Sequence, residues 1–233
     1  MRDRPARPRR GSTRALDPDE PAPIIEGSIT AITPARQSGC VAIRVGRVRA
    51  AVIAADDADR LRLHTGLDWT PVLADAIAAA AALAAAKDLA VKIVASRPIT
   101  RNALCRRLAQ RGHAPSDAAN VADQLQTLGV LDDARFAAAF IRSRLDAKPA
   151  GKIWLLSKLA QKGVDRATAN AAVDAALVGR DQRAEAERLA LARFKRMSPR
   201  LERQAVERRL FGVLARRGFD AGLCRDVVRK VMA

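Results

Sequence analysis

Apolar residues follow two different spacings along this chain, and the change occurs near residue 70. Over residues 41–45 and 48–52 they alternate with other residues, which is the period-two pattern of half-buried strands. The Gly46-Arg47 pair between these stretches predicts a type II′ hairpin, because glycine adopts the positive φ that the first turn position needs. With an earlier strand over residues 28–33, residues 24–69 are predicted to form a small β-rich region.

Helical spacing replaces the alternation from Thr70 onward. Thr70 and Pro71 form an N-cap and first-turn pair, and the pattern continues to Ser96, where Pro98 interrupts it. After this lead-in helix one phrase occurs three times, as LAQRG at 108–112, LAQKG at 159–163 and LARRG at 214–218. Each copy ends one apolar-periodic stretch and precedes another, so the period of about 50 residues predicts a tandem array.

Capping residues divide the array into helices. Thr100, Ser116, Asp132 and Asp165 are placed as N-caps. The glycine of each repeated phrase is expected to end its helix in the left-handed conformation. The last three helices are expected over residues 183–196, 199–217 and 220–232.

The predicted fold class is mainly α, with tandem three-helix repeats in an elongated array preceded by a small N-terminal β-hairpin region. A three-helix unit of ~50 residues is small for an independent core, so neighbouring units are expected to stack. The expected divisions are a disordered basic tail at 1–23, the β-rich region at 24–69, repeat 1 with its lead-in helix at 70–129, repeat 2 at 130–179 and repeat 3 at 180–233.

The charge balance indicates a class of partner. The 233 residues include 42 Lys and Arg against 25 Asp and Glu, a formal net charge of +17. This excess favours polyanionic partners, either nucleic acid or a protein bound to it. The arginine- and proline-rich first 23 residues have the composition of a disordered segment.

The sequence nominates no catalytic, cofactor or metal site. Two histidines do not assemble a credible nucleophilic triad, and neither GxxxxGKS/T nor GxGxxG occurs. The three cysteines lack CxxC or CxxH spacing. We therefore expect a protein that is not an enzyme and takes no cofactor or metal. With no signal peptide, no membrane span and scattered cysteines, a cytoplasmic location is expected.

Two acidic residues and one histidine have structural explanations. Asp132 and Asp133 stand at a helix start, where an N-cap and a complement to the helix dipole explain them better than a metal site. His113 follows the first repeated glycine, and its counterparts in the other copies are Val164 and Phe219. Because both counterparts are apolar, His113 is expected to pack against the helix end.

Basic residues are the remaining candidates for function. The cation before each repeated glycine could face a polyanion or simply offset the helix dipole; these cations are Arg111, Lys162 and Arg217. Phe136 and Phe140 are four residues apart and are expected in the core, with Arg135, Arg142 and Arg144 on the opposite side. Trp154, flanked by Lys152 and Lys158, is either an interface anchor or a core filler.

Residues 131–144, LDDARFAAAFIRSR, closely resemble the signature segment of the RecX regulatory proteins. SRPIT at 96–100 with residues 104–112 is similar to the first repeat of that family. GKI at 151–153 with KG at 162–163 is similar to its second repeat, and LARRGF at 214–219 to its third. The β region also resembles the N-terminal extension of longer members. Ala103 and Ala138 depart from the family pattern, which often has Glu or larger residues there.

The resemblance implies a regulator of the RecA recombinase. Proteins of this kind associate with the RecA–DNA filament along its helical groove, inhibit ATP hydrolysis and strand exchange, and can bind DNA. The expected partners are therefore the RecA filament and, more weakly, single- and double-stranded DNA. The expected role is to modulate homologous recombination, DNA repair and the SOS response, as a monomer without membrane association.

The contacts are expected on the basic helix surfaces. The candidate residues are Arg135, Arg142, Arg144, Lys152, Lys158, Arg208, Arg209 and Arg216. Several weak contacts along an array would add up by avidity. The alternative is a helix-turn-helix-like DNA-binding protein that acts without a recombinase, although no helix carries obvious base-reading residues.

Overall fold

The computed structural model describes residues 26–233, so the tail predicted over residues 1–23 lies outside the described residues. The chain divides into two compact units between Ile77 and Ala78. The elements of the described residues are β1 (Ile29–Pro34), β2 (Cys40–Val45), β3 (Val48–Ala54), α1 (Ala55–Arg60), α2 (Pro71–Ser96), α3 (Arg101–Ala109), α4 (Pro115–Thr127), α5 (Asp133–Ala147), α6 (Lys152–Lys162), α7 (Arg166–Leu177), α8 (Gln182–Phe194), α9 (Arg203–Arg216) and α10 (Ala221–Val231). No helix in this part of the chain is long and apolar enough to cross a membrane.

The first unit is built on a three-stranded antiparallel sheet in the order β1-β2-β3. Gly46 has a φ of 57° and Arg47 does not have a positive φ, which are the signs that a type II′ turn requires. Ile29, Ile43 and Ile53 are fully buried. The small β region and its hairpin are confirmed.

A short helix that the sequence did not predict follows β3 inside the β-rich region. In α1, Asp56 and Asp57 occupy the first turn and Arg60 the last, an arrangement that complements the helix dipole. Arg60 also pairs with Asp57 at 2.8 Å, and Ala58 is buried. This helix was missed because its charged residues carry no clear apolar period.

Three-helix repeats make up the helical part, and each encloses its own buried cluster. Repeat 1 comprises α2–α4, repeat 2 comprises α5–α7 and repeat 3 comprises α8–α10. Leucines eight and four residues before the repeated glycine are fully buried in every repeat: Leu104 and Leu108, Leu155 and Leu159, Leu210 and Leu214. The predicted tandem three-helix architecture is confirmed.

Three of the four predicted N-cap residues cap their helices in the structure. Three predicted N-caps accept a backbone N–H from the third residue of their helix: Thr100, Asp132 and Asp165. The prediction for Ser116 was wrong, since Ala114 is the N-cap of α4 and Pro115 its first residue. Proline fits that position because its missing N–H is one of those without an intrahelical partner. α9 begins at Arg203 rather than at residue 199.

The middle helices of repeats 1 and 2, α3 and α6, meet end to end. Thr100 Oγ1 donates to the carbonyl oxygen of Lys162 at 2.7 Å, and Asn102 Nδ2 donates to that of Gly163 at 2.7 Å. Carbonyls at a helix C-terminus have no intrahelical donor, and these two are satisfied by the preceding repeat. A Cβ on Gly163 would lie 3.0 Å from the Cβ of Asn102, so the approach is close.

The same contact recurs one repeat later, between α9 and α6. The N–H of Gly151 donates to the carbonyl of Arg217 at 2.8 Å, and the N–H of Ile153 donates to that of Gly218 at 3.2 Å. A Cβ on Gly218 would overlap the backbone nitrogen of Trp154, and one on Gly151 would overlap the carbonyl oxygen of Gly218. We call these two contacts the head-to-tail junctions. They give the repeated glycine a packing role beyond ending the helix.

The first copy of the glycine has no such neighbour in the described part of the chain. Gly112, Gly163 and Gly218 share nearly the same backbone conformation, with φ of 85°, 85° and 76°. A Cβ on Gly112 would nevertheless meet no atom of residues 26–233 within 4 Å. Gly112 therefore ends its helix without joining repeats, which makes it a control for the other two.

A carboxylate adds a further link between repeats 1 and 2. Asp133 Oδ1 accepts the backbone N–H of Arg101 at 2.9 Å, and Arg101 also pairs with Asp123 at 2.7 Å. Burial raises the pKa of Asp133, and the negative charge of Asp165 adds to this effect. Asp133 was predicted as a complement to the dipole of its own helix, and the structure shows that it also contacts the preceding repeat.

Alanine substitution of the three glycines separates the two roles. Gly112→Ala is expected to lower the free energy of unfolding by about 1–2 kcal/mol, the cost of a left-handed alanine. Gly218→Ala is expected to lower the free energy of unfolding by about 1–3 kcal/mol more than Gly112→Ala, because the new Cβ overlaps backbone atoms of the neighbouring repeat. The loss for Gly163→Ala should lie between these two values. Urea unfolding followed by circular dichroism measures all three. Equal losses for Gly112→Ala and Gly218→Ala would contradict the junction.

Replacing Asp133 by Asn tests the carboxylate link through its pH dependence. The folded pKa lies above the unfolded value near 3.9, so the contribution of this carboxyl group to the unfolding free energy falls as pH rises through the folded pKa. Asn keeps an oxygen for the N–H of Arg101 but does not titrate. The stability of the variant relative to the wild type should therefore rise with pH across this window. Urea titrations from pH 3.5 to 7 measure the difference, and parallel pH profiles would refute the assignment.

Candidate polyanion-binding surface

Four arginines line a cleft between α8 and α9 in repeat 3. The cleft encloses about 440 Å³ and is lined by Arg193, Ala205, Arg208, Arg209, Val213 and Arg216. All four arginine side chains are exposed. We call this site the arginine cleft. It brings together three of the predicted contact residues, Arg208, Arg209 and Arg216.

Among the described residues, no negative charge compensates the arginine cleft. No carboxylate lines it, and within residues 26–233 none of its four guanidinium groups makes an ion pair or a hydrogen bond. Each group offers five N–H donors in a planar fork that matches two oxygens of a phosphate. A concave surface with one sign of charge concentrates the electrostatic potential. The geometry is therefore suited to a polyanion.

A glycine inside α9 shapes one wall of the cleft. Nη1 of Arg216 lies 3.1 Å from the position that a Cβ on Gly212 would occupy. Glycine inside a helix is less stable than alanine by about 0.5–1 kcal/mol. The missing side chain lets the Arg216 guanidinium fold back along the helix toward the preceding turn.

Sequence reasoning missed Arg193, the fourth member of the cleft. It lies in the last turn of α8, where a cation is explained by the helix dipole. Its position opposite Arg208 and Arg209 depends on how α8 packs against α9. No sequence signal links residues so far apart, so this contribution becomes visible in three dimensions.

The three predicted arginines of α5 do not share one face. Arg135 and Arg142 are seven residues apart and project from the same side of the helix. The guanidinium of Arg144 instead lies 4.8 Å from the ring centroid of Phe140. Its placement opposite the phenylalanines was wrong, because the spacing of four residues superposes the two side chains. Phe136 and Phe140 are half-buried against the core of repeat 2, as predicted.

The two predicted lysines of α6 have partners within repeat 2. Lys152 Nζ lies 2.6 Å from Asp174, and both side chains are about half exposed. Lys158 donates to Gln161 at 3.1 Å, and its Nζ lies 5.7 Å from the ring centroid of Trp154. An exposed ion pair such as Lys152–Asp174 contributes about 0–1 kcal/mol, so Lys152 is not held firmly.

Trp154 is half-buried at the second head-to-tail junction. It packs on the core of repeat 2 and on Gly218, and the Arg217 guanidinium lies 5.9 Å from its ring centroid. The sequence left an interface anchor and a core filler as alternatives. The structure places Trp154 in the core of repeat 2 and at the contact between two repeats of the same chain.

The other titratable groups form no reactive site in the described residues. Burial raises the pKa of the Cys105 and Cys224 thiols, so both remain protonated at neutral pH and are poor nucleophiles. Among residues 26–233, no group of three or more His, Cys, Asp or Glu residues could hold a metal. His113 is half-buried, whereas its counterparts Val164 and Phe219 are buried.

Comparison with known sequences identifies relatives of this chain. Residues 132–173 match the model of the RecX second three-helix domain. The regulatory protein RecX of Mycolicibacterium vanbaalenii is 36% identical over 156 residues, which cover 64% of this chain and 83% of the relative. That of Mycobacterium avium is 35% identical, covering 64% and 85%, and that of Halorhodospira halophila is 35% identical, covering 63% and 88%.

Comparison with solved structures supports the fold. A crystal structure of a regulatory protein RecX matches with a TM-score of 0.69 and 19% identity, over 87% of this chain and 98% of the other. The structure of RecX from Lactobacillus salivarius matches with a TM-score of 0.53 and 16% identity, over 64% and 96%. At these identities the matches establish the architecture alone.

Neutralising the arginine cleft tests whether it binds a polyanion. Replacing Arg208 and Arg209 by Ala is expected to weaken binding to a short DNA duplex and to reduce the slope of log affinity against log salt by about 1.8, since each phosphate contact contributes about 0.9. The matched control replaces Arg225 and Arg229, two exposed arginines of α10 outside the cleft, by Ala. Fluorescence anisotropy at 50–200 mM salt measures both. Equal effects in the two double variants would show that total charge, not the cleft, controls binding.

Proposed function

The chain belongs to the RecX family of regulatory proteins, and on this basis we propose that it binds the RecA recombinase filament and inhibits its ATPase and strand-exchange activities. In this role the protein modulates homologous recombination and DNA repair without catalysing a reaction. Its partners are the filament and, more weakly, single- and double-stranded DNA.

The arginine cleft is the observation that carries the polyanion contact of this proposal, and family membership carries the choice of partner. Four guanidinium groups without internal partners provide phosphate contacts, and a filament assembled on DNA offers phosphates at regular intervals. The described part of the chain also repeats one structural unit, joined by the head-to-tail junctions. Contacts from several repeats add by avidity, because the first contact raises the effective concentration of the others.

The alternative is a DNA-binding protein that acts without a recombinase, and the arginine cleft suits it equally well. Salt dependence separates the two. For ~4 phosphates, bare-DNA binding should weaken roughly 100-fold between 50 and 200 mM salt. Binding to the filament should weaken much less, because protein–protein contacts contribute to it.

The ATPase activity of the cognate recombinase on single-stranded DNA tests the proposal. The wild-type protein is expected to slow ATP hydrolysis at stoichiometric amounts. The variant with Arg208→Ala and Arg209→Ala should need about tenfold more protein for half-inhibition, equivalent to ~1.4 kcal/mol. The control with Arg225→Ala and Arg229→Ala should resemble the wild type. Unchanged hydrolysis with excess wild-type protein would refute the proposed function.

A further inference from the structure

An open groove runs between α5 and α7 of repeat 2. It encloses about 570 Å³, within the range of pockets that hold ligands. Six alanines line it: Ala134, Ala138, Ala171, Ala172, Ala175 and Ala176. We call it the alanine groove. Arg142, Asp146 and Arg180 are the charged residues of its lining.

Repeat 3 shows how the corresponding groove is closed in the same fold. When the buried core positions of the two repeats are matched, Ala134 and Ala171 correspond to Arg183 and Asp226, which pair across α8 and α10 at 3.3 Å. The groove of repeat 3 is therefore bridged at this level by an ion pair.

A second bridge in repeat 3 corresponds to the next two alanines. Ala138 and Ala175 match Glu187 and Lys230, which pair at 2.8 Å. The four positions whose side chains form two interhelical ion pairs in repeat 3 are thus occupied by alanines in repeat 2. The alanine groove is open because the side chains that would span it are absent.

The charge around the groove defines what it would bind. Arg142 makes no ion pair or hydrogen bond within residues 26–233, and Arg180 has one carboxylate partner, Glu185, at 2.5 Å. Asp146 is the single acidic residue of the lining. An apolar side chain would displace water from the alanines, while a carboxylate beside it would pair with Arg142. The complementary ligand is an acidic segment with an apolar anchor, bound as a helix binds in a groove.

We propose that the alanine groove is the site where repeat 2 docks an acidic, apolar segment of the recombinase. This inference rests on the proposed function and assigns its protein–protein contact to repeat 2, separate from the phosphate contacts of the arginine cleft. It gives Arg142 a specific role among the three α5 arginines. Arg144 is already held over Phe140, and Arg135 does not line the groove.

Closing the groove with the side chains of repeat 3 tests the proposal. The closed variant carries Ala134→Arg, Ala138→Glu, Ala171→Asp and Ala175→Lys, which adds no net charge. The control carries Ala139→Glu and Ala167→Lys, at two exposed positions of α5 and α7 outside the groove. A second test variant, Arg142→Glu, leaves the groove open and reverses its charge. Circular dichroism melting shows whether each variant folds.

Sedimentation with preassembled recombinase filaments measures the effect. The closed variant and Arg142→Glu should each bind at least tenfold more weakly than the wild type, and the control should bind within twofold. Affinity of the closed variant for a bare DNA oligonucleotide should stay within twofold of the wild type. These results together support a protein-docking groove.

The other outcomes overturn the inference in distinguishable ways. Unchanged filament affinity of the closed variant refutes the groove while leaving the proposed function intact. An equal loss of bare-DNA affinity shows that the groove holds nucleic acid. A wild-type dimer that becomes monomeric on closure shows that it holds a second copy of this chain. If the wild type neither binds filaments nor slows ATP hydrolysis, the proposed function fails and the inference fails with it.

Discussion

The helical part of this protein depends on how one helix end meets the next. Each C-terminal carbonyl pair of α6 and α9 needs donors from outside its own helix, and the preceding repeat supplies them within hydrogen-bonding distance. The donors differ, with side chains of Thr100 and Asn102 at one junction and backbone N–H groups of Gly151 and Ile153 at the other. The feature that the two junctions share is therefore geometric. Each contains a glycine in the left-handed conformation, and its lack of a side chain allows the close approach. This close approach fixes the order and register of repeats whose hydrophobic cores are separate.

Separate cores leave the outer surfaces of the repeats free to differ. In repeat 3 two ion pairs bridge the groove between the first and third helices, α8 and α10. The arginine cleft lies elsewhere on the same repeat, between α8 and α9. In repeat 2 the same groove is left open by four alanines. The two proposed contacts, with phosphate and with protein, therefore lie on different repeats of one scaffold. This division suits the proposed partner, a protein polymer assembled on DNA.

Local sequence was sufficient for most of the fold. The Gly46-Arg47 turn, the caps at Thr100, Asp132 and Asp165, and the helix-ending glycines act through neighbouring residues, so they could be predicted. The short helix α1 and the start of α9 were missed because weakly patterned, charged segments give no clear period. The site was predicted less completely. Arg208, Arg209 and Arg216 were identified as basic residues, whereas Arg193, the stacking of Arg144 on Phe140 and the groove all depend on helix packing.

The unoccupied end at Gly112 bears on how such an array can change in evolution. Its backbone has nearly the same conformation as the two docked glycines, yet none of the residues that the structure describes packs against it. Since each repeat has its own buried cluster, the duplication or deletion of one unit alters mainly the hydrogen-bonded helix ends and the side chains that pack there, such as Trp154. Repeat number is then a trait that a lineage can vary in steps of one module. Each added unit already contains the repeated glycine, which allows the close contact of a head-to-tail junction.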